Sequence, residues 1–260
     1  MTVQEIYEFV QTLAPEYMAM DWDHVGLLCG RSDRKVSKIL VALDPFYRVC
    51  EEAKALGCEM LITHHPAIWD LKAVNDQHIE GRALLYLIEN GISAVNAHTN
   101  LDCAPNGVND QLAKILGLQN ICVIDPKGTD EQGRPYGLLR GGEVDATTAE
   151  AFAQHVKQAL GCEGLRYVSG QEIRRVAVGG GSCSDALYRI KALGYDCLVT
   201  ADCKYNAFVD AEYLGITLID AGHFQTENPV CAYLADELRK KFPEIEVIES
   251  KIHADCIKFA

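Results

Sequence analysis

No stretch of this 260-residue chain comes near the roughly 18 consecutive apolar residues that a membrane-crossing helix needs. The opening Met1-Thr-Val-Gln-Glu-Ile6 has neither the basic nor the apolar segment of a secretory leader, so a cytoplasmic location is expected. There is no Cys-x-x-Cys pair. The eleven cysteines are scattered singly, and several of them, Cys50, Cys58, Cys197 and Cys231, fall within apolar stretches. That pattern argues against a zinc ribbon or a disulfide framework and fits small buried hydrophobes in a reducing compartment. Positive charge is also scarce, with 24 Lys and Arg against 37 Asp and Glu and a net charge of −13. Broad, nonspecific nucleic-acid binding needs a basic footprint and is not expected here. A phosphate-binding signature is missing as well. Gly179-Gly-Gly-Ser-Cys-Ser-Asp185 lies between a strand and a helix pattern, but it lacks the G-x-G-x-x-G spacing and the Walker lysine. A tight structural turn is expected there, with a substrate-phosphate contact as the lesser alternative.

What the chain does contain is apolar content of 48%, enough for one large core or two smaller ones. An amphipathic helix is expected over residues 3–13, followed by strand 39–43, helix 47–56, strand 60–63, a helix from about 81 to 90 and strand 92–96. This alternation predicts an α/β fold with a parallel or mixed sheet covered by helices. A helix opening at Gly107 and closed by Gly117 comes next. Residues 126–134, rich in Gly and charge, give the boundary signal between a first lobe, 1–125, and a second, 126–260. A short strand at 136–140, helix 148–160, a last helix 229–241 and a strand-like run over 245–259 complete the pattern. The final strands are expected to return to one of the lobes.

The chemistry gathers at strand ends. His64 and His65 follow the apolar run Cys58-Glu-Met-Leu-Ile-Thr63, and two other strands lead into a histidine with an acid four residues on, His98-Thr-Asn-Leu-Asp102 and His223-Phe-Gln-Thr-Glu227. Imidazole and carboxylate are the ligand set of borderline divalent ions. The pattern also repeats. Lys38-Ile-Leu-Val-Ala-Leu-Asp44, Ala55-Leu-Gly57 and Met60-Leu-Ile-Thr63 are echoed 137 positions later by Arg175-Val-Ala-Val-Gly-Gly-Gly181, Ala192-Leu-Gly194 and Cys197-Leu-Val-Thr200. Each copy reads as strand, helix, strand, helix, strand, and Ala201-Asp202 stands where the first copy has His64-His65. If two such units face each other, their carboxyl-end clusters share one cleft.

Five motifs, Trp22-Asp-His-Val-Gly-Leu27, Thr63-His-His-Pro66, His98 to Asp102 with Asn106-Gly-Val-Asn-Asp110, Gly179-Gly-Gly-Ser182 and Ala221-Gly-His-Phe-Gln-Thr-Glu227, occur in this order. Together they resemble the GTP cyclohydrolase I type 2 homologs, also called the Nif-three-like family, in its short form without the inserted middle domain. The resemblance runs from about residue 4 to residue 258. It implies a two-lobed α/β protein with internally duplicated βαβ units, a dinuclear divalent-metal centre in a cleft between the lobes, and assembly as a toroidal homohexamer. It places the metal ligands at His64, His65, Asp102, His223 and Glu227, with Glu227 spanning both ions, and it leaves zinc, iron, manganese, cobalt and nickel undistinguished. His98, the counterpart of His223, is expected in or near the ligand sphere as a proton carrier. Two ions would turn a local charge of about −2 into about +2 and attract an anionic substrate. The implied chemistry is hydrolysis of a small molecule through a bridging hydroxide; the alternative is a non-catalytic metal-handling or regulatory hexamer. The chain departs from the family pattern at Thr200-Ala-Asp202, where Thr-Gly-Glu is common, and at His24, where asparagine is usual; a turn or supporting contact is expected of His24.

Overall fold

The computed structural model describes residues 1–260. In chain order the regular elements are α1 (Val3–Leu13), β1 (Gly26–Cys29), β2 (Lys38–Ala42), α2 (Tyr47–Leu56), β3 (Met60–Thr63), α3 (Ile79–Asn90), β4 (Ser93–Asn96) and α4 (Thr99–Cys103). They continue with α5 (Val108–Ile115), β5 (Gln119–Ile124), β6 (Gly128–Thr129), β7 (Pro135–Tyr136), β8 (Leu139–Thr147), α6 (Ala149–Leu160), β9 (Arg166–Val168) and β10 (Ile173–Val178). The last are α7 (Leu187–Ala192), β11 (Cys197–Thr200), α8 (Tyr205–Leu214), β12 (Thr217–Asp220), α9 (His223–Glu227), α10 (Pro229–Lys241) and β13 (Glu246–Glu249). Helix α1 begins where its apolar periodicity begins, because Thr2 and Glu5 cap each other's backbone N–H groups.

The chain forms two compact units. The first comprises Met1–Ala104 and Val230–Ala254, around a five-stranded sheet of order β1-β4-β3-β2-β13. Strands β2, β3 and β4 are parallel neighbours, with Ala42 beside Thr63 and Thr63 beside Asn96, so their carboxyl ends lie side by side. Strand residues alternate between the two faces of the sheet. Leu40, Leu61 and Ala94 pack against Val49, Cys50 and Ala53 of α2 and Leu84 and Leu87 of α3. Ile39, Val41, Met60 and Ile62 point the other way and are also buried, the near-continuous apolar pattern of a sheet covered on both faces. Strand β13 adds in parallel to the β2 edge. The strand pattern expected over 245–259 is realised only over Glu246–Glu249: the Glu52 carboxylate takes the Ser250 hydroxyl and the Lys251 N–H, and the chain leaves the sheet there.

The second unit comprises Pro105–Pro229 and Asp255–Ala260. Its six strands run β5-β8-β10-β11-β12-β9, of which β10, β11 and β12 are parallel neighbours. Val176 pairs with Cys197 as Ile39 pairs with Met60, so the registers correspond across the 137-residue displacement seen in the sequence. Val176, Val178, Cys197, Val199 and Ile219 face α5 and α6, whereas Ala177, Leu198 and Leu218 face α7 and α8. Residues 126–134 fold as the connection that includes β6 and the turn into β7, where the Asp130 carboxylate accepts the Gln132 and Arg134 N–H groups.

Nine of the eleven cysteines are buried and all are free thiols. Burial pushes the Cys50 and Cys203 thiols up to about 12, and a protonated, enclosed thiol is a poor nucleophile. Ellman titration of the native protein is therefore expected to show two fast thiols, from the exposed Cys122 and Cys256, and all eleven only after denaturation. Four or more fast thiols in the native state would contradict this packing.

Candidate metal centre

In the first unit the histidines sit where parallel strands stop. His64 and His65 follow β3, and His98 follows the neighbouring β4 as the residue preceding α4. One turn further along α4 is Asp102, so the four-residue spacing read in the sequence is a helical one. His64 is fully buried, and His98 and Asp102 are nearly so. One ring nitrogen from each of His64, His65 and His98 lies within 4.8 Å of the others, a group that could hold a metal ion. In the second unit, His223 and Glu227 are the first and last residues of α9, again one turn apart.

Backbone geometry prepares the place of Glu227. Gly181 has φ +61°, and a Cβ there would overlap the Glu227 carboxylate, so glycine serves both the left-handed backbone and the close approach. The 179–181 loop has its N–H groups committed within the protein. Gly179 donates to the Val199 carbonyl, Gly180 to Asn109 Oδ1 and Gly181 to Thr226 Oγ1, and just beyond the loop Cys183 donates to Thr200 Oγ1. These bonds make the glycine motif a tight structural turn.

All four histidines are held by Nδ1. His64 Nδ1 lies 2.8 Å from the Ala97 carbonyl, His65 Nδ1 2.6 Å from Asp44 Oδ1, His98 Nδ1 2.9 Å from Asp23 Oδ1 and His223 Nδ1 2.7 Å from Asp202 Oδ2. Carbonyl and ionised carboxylate oxygens only accept, so each Nδ1 carries the proton, and a neutral ring then has its lone pair on Nε2. Burial would raise the Asp23 carboxyl, but hydrogen bonds from His98 and Thr99 outweigh it and bring it down to about 2. Asp44 behaves likewise: burial pushes it up, the bonds from His253 and His65 pull it further down, and it ends well below the usual carboxylate range.

These anchored rings turn Nε2 toward carboxylates. His64 Nε2 stands 3.6 Å from Asp102 Oδ1, and His223 Nε2 stands 3.0 Å from Glu227 Oε2. A lone pair facing a carboxylate oxygen is favourable only if positive charge lies between them, from a second ring proton or from a cation. The first pair is too far apart for a hydrogen bond, and imidazolium rings crowded as closely as His64, His65 and His98 would repel one another. A divalent cation satisfies the nitrogen and the oxygen together, so the residues present fit a metal of the zinc, iron, manganese, cobalt or nickel kind.

Three contributors escaped the sequence reading. Asp44 and Asp23 stand in quoted motifs, at the end of β2 and beside Trp22, but nothing in their spacing marks them as histidine partners. His253 gives no local signal at all. It arrives from the far end of the chain to place Nε2 2.8 Å from Asp44 Oδ2, completing a His65–Asp44–His253 chain. His24 is a supporting residue, its N–H donating to Asp23 Oδ1 and its carbonyl accepting from Asn96 Nδ2. Asp202, where the sequence departs from the common pattern, is the carboxylate that orients His223.

Fold and side chains together define an α/β protein with histidine and carboxylate groups that could bind a metal ion. The chain belongs to the Duf34/NIF3 (NGG1p interacting factor 3) family, whose model matches residues 1–256. It is 31% identical over 264 aligned positions, covering all of both chains, to a Clostridium perfringens protein named GTP cyclohydrolase 1 type 2 homolog. A Streptomyces coelicolor protein of the same name is 34% identical over 243 positions, covering 91% of this chain and 85% of that one. Among solved structures, a Bacillus cereus protein related to NIF3 superposes with a TM-score of 0.93 at 26% identity, covering 100% of this chain and 99% of that one. No helix is long and apolar enough to cross a membrane.

Proposed function

We propose that this protein holds two divalent ions through His64, His65, Asp102, His223 and Glu227 and uses them in a hydrolytic reaction on a small molecule. The observation that carries the reading is the pairing of Nδ1-anchored imidazoles with buried carboxylates, His64 with Asp102 and His223 with Glu227. A bound divalent ion supplies Lewis acidity, polarising a substrate oxygen and acidifying water. The chain's own residues supply the rest. Asp44 and Asp202 fix the rings of His65 and His223 by their Nδ1–H groups, a support whose loss typically lowers metal affinity or activity about 10- to 100-fold. His98 takes a proton at Nε2 and returns it to the leaving group, while the ionised Asp23 holds its Nδ1–H and balances the transient imidazolium. The relatives' name, GTP cyclohydrolase 1 type 2 homolog, suggests a guanine nucleotide as the first substrate to try. The toroidal homohexamer expected from the sequence is part of the same proposal.

A second reading, a non-catalytic metal-handling or regulatory protein, is favoured by one observation. His98 stands close enough to His64 and His65 to act as a third nitrogen donor, and with Asp102 Oδ1 3.6 Å from His64 Nε2 the set would number four protein ligands, the closed arrangement typical of sites that hold metal without catalysis. Incubating a metabolite extract with wild type and with Glu227→Gln separates the two. Hydrolysis predicts metal-dependent loss of at least one compound with wild type and a fall of at least about 100-fold in its rate with the variant. No loss of any compound by the metal-replete wild type would favour metal handling.

A further inference from the structure

Beside His65 the first unit contains a cavity of about 380 Å³, near the lower end of the range for small-molecule sites. Its walls include Phe46, Tyr47, Pro66, Trp69 and Ile79. Three of these are large apolar side chains left in water, Phe46 at 56%, Trp69 at 57% and Ile79 at 85% exposure. Apolar side chains gathered in this way around one cavity mark a binding surface, whereas scattered ones do not.

The aromatic walls are held in place. The Arg82 guanidinium lies 3.8 Å from the centre of the Tyr47 ring, and Tyr86 meets that ring edge-on. Phe46 stacks on His253, at 5.8 Å and 29°, and His253 in turn bonds Asp44, the anchor of His65. Trp69 reaches the opposite way, its ring 5.4 Å from His98 and 5.7 Å from Trp22. The cavity therefore opens beside the histidine cluster, and its flat surfaces suit ring stacking. Its own lining carries acids and no lysine or arginine. Asp44, Asp70 and Glu80 line it, and the adjoining cations are Lys72, paired with Asp70 at 3.4 Å, and Arg82, packed on the Tyr47 ring. Such a lining repels phosphate and carboxylate and favours N–H donors or a cation.

We propose that this cavity binds an uncharged or cationic aromatic ring system bearing N–H groups. Resting on the metal reading above, we assign it to the end of the substrate that is not attacked. Any anionic part of the substrate must then lie outside the cavity, toward the metal ligands.

The test is isothermal titration calorimetry with 2-aminobenzimidazole as the probe, using benzoate and cyclohexylamine for comparison, on the full chain as purified and again after chelation. Expected is saturable binding of 2-aminobenzimidazole at one site per chain in both samples, with no measurable binding of the aromatic anion or the non-aromatic amine. Ala83→Phe, which fills the cavity from a buried wall position, should abolish binding. Phe46→Ala, at an exposed position that leaves the core intact, should weaken it about fivefold. Absence of saturable binding, equal binding of benzoate, unchanged binding in both variants, or loss of binding on chelation would each overturn the assignment, the last because the probe would then be a ligand of the metal. Metal content measured on the same samples keeps the two readings apart. Probe binding to protein that takes up no metal would remove the metal reading alone, and metal-replete protein that ignores the probe would remove the cavity assignment alone.

Discussion

Protein purified without chelator or affinity tag should carry about two divalent ions per chain by elemental mass spectrometry, and the His64→Ala/Glu227→Ala double variant almost none. The size of the effect follows from the donor set. His64 is fully buried with its Nδ1 committed to the Ala97 carbonyl, and Glu227 is almost fully buried beside His223. Removing both side chains takes a nitrogen and a carboxylate from the five proposed ligands, and a vacated donor position leaves buried partners that water satisfies poorly. His64→Ala also leaves the Ala97 carbonyl without this donor, at a cost of about 1–3 kcal/mol, so circular dichroism must accompany the measurement. Glu227→Gln alone nearly preserves side-chain volume, loses the negative charge and should lose metal with the fold intact. A wild type that contains no metal, and still contains none after reloading with zinc, iron or manganese, would refute the centre.

Asp110→Ala should lower stability by about 3–5 kcal/mol, the usual cost of taking an ion-pair partner away from a buried charge. Arg140 on β8 is 1% exposed, and its Nε lies 2.6 Å from Asp110 Oδ1 on α5. The same guanidinium donates through Nη1 to the Gly137 carbonyl at 2.6 Å, so the arginine cannot swing into water without breaking the start of β8. Asp110 also receives the Asn106 N–H, tying the turn before α5 to the pair. Differential scanning calorimetry should show a fall in Tm of roughly 10 °C for a domain of this size. Asp110→Asn, which keeps an acceptor oxygen, should fall by less. Asp110→Ala combined with Arg140→Met should regain much of the loss, because removing both charges removes the desolvation problem with the attraction. A Tm change below about 2 °C for Asp110→Ala would mean that the pair is solvated and contributes little.

The elements whose signals are local are legible in the amino-acid sequence. The helix expected over 3–13 is α1 with its Thr2 cap, the one over 229–241 is α10, and the apolar run 60–63 is β3. Each is set by side-chain period and end residues a few positions apart, as are the one-turn spacings that join His98 to Asp102 and His223 to Glu227. The histidines at strand ends were visible for the same reason. Tertiary structure alone decided what lies beside what. It placed Asp44 next to His65 and His253 next to Asp44, joining residues 209 positions apart. It paired β13 with β2, stopped that strand at Glu249 by giving Ser250 and Lys251 to Glu52, and gathered Phe46, Trp69 and Ile79 around one cavity. These contacts depend on strand order and loop paths, which are fixed by burial summed over the whole unit; no short stretch of sequence carries that information, because the same local pattern is compatible with many pairings.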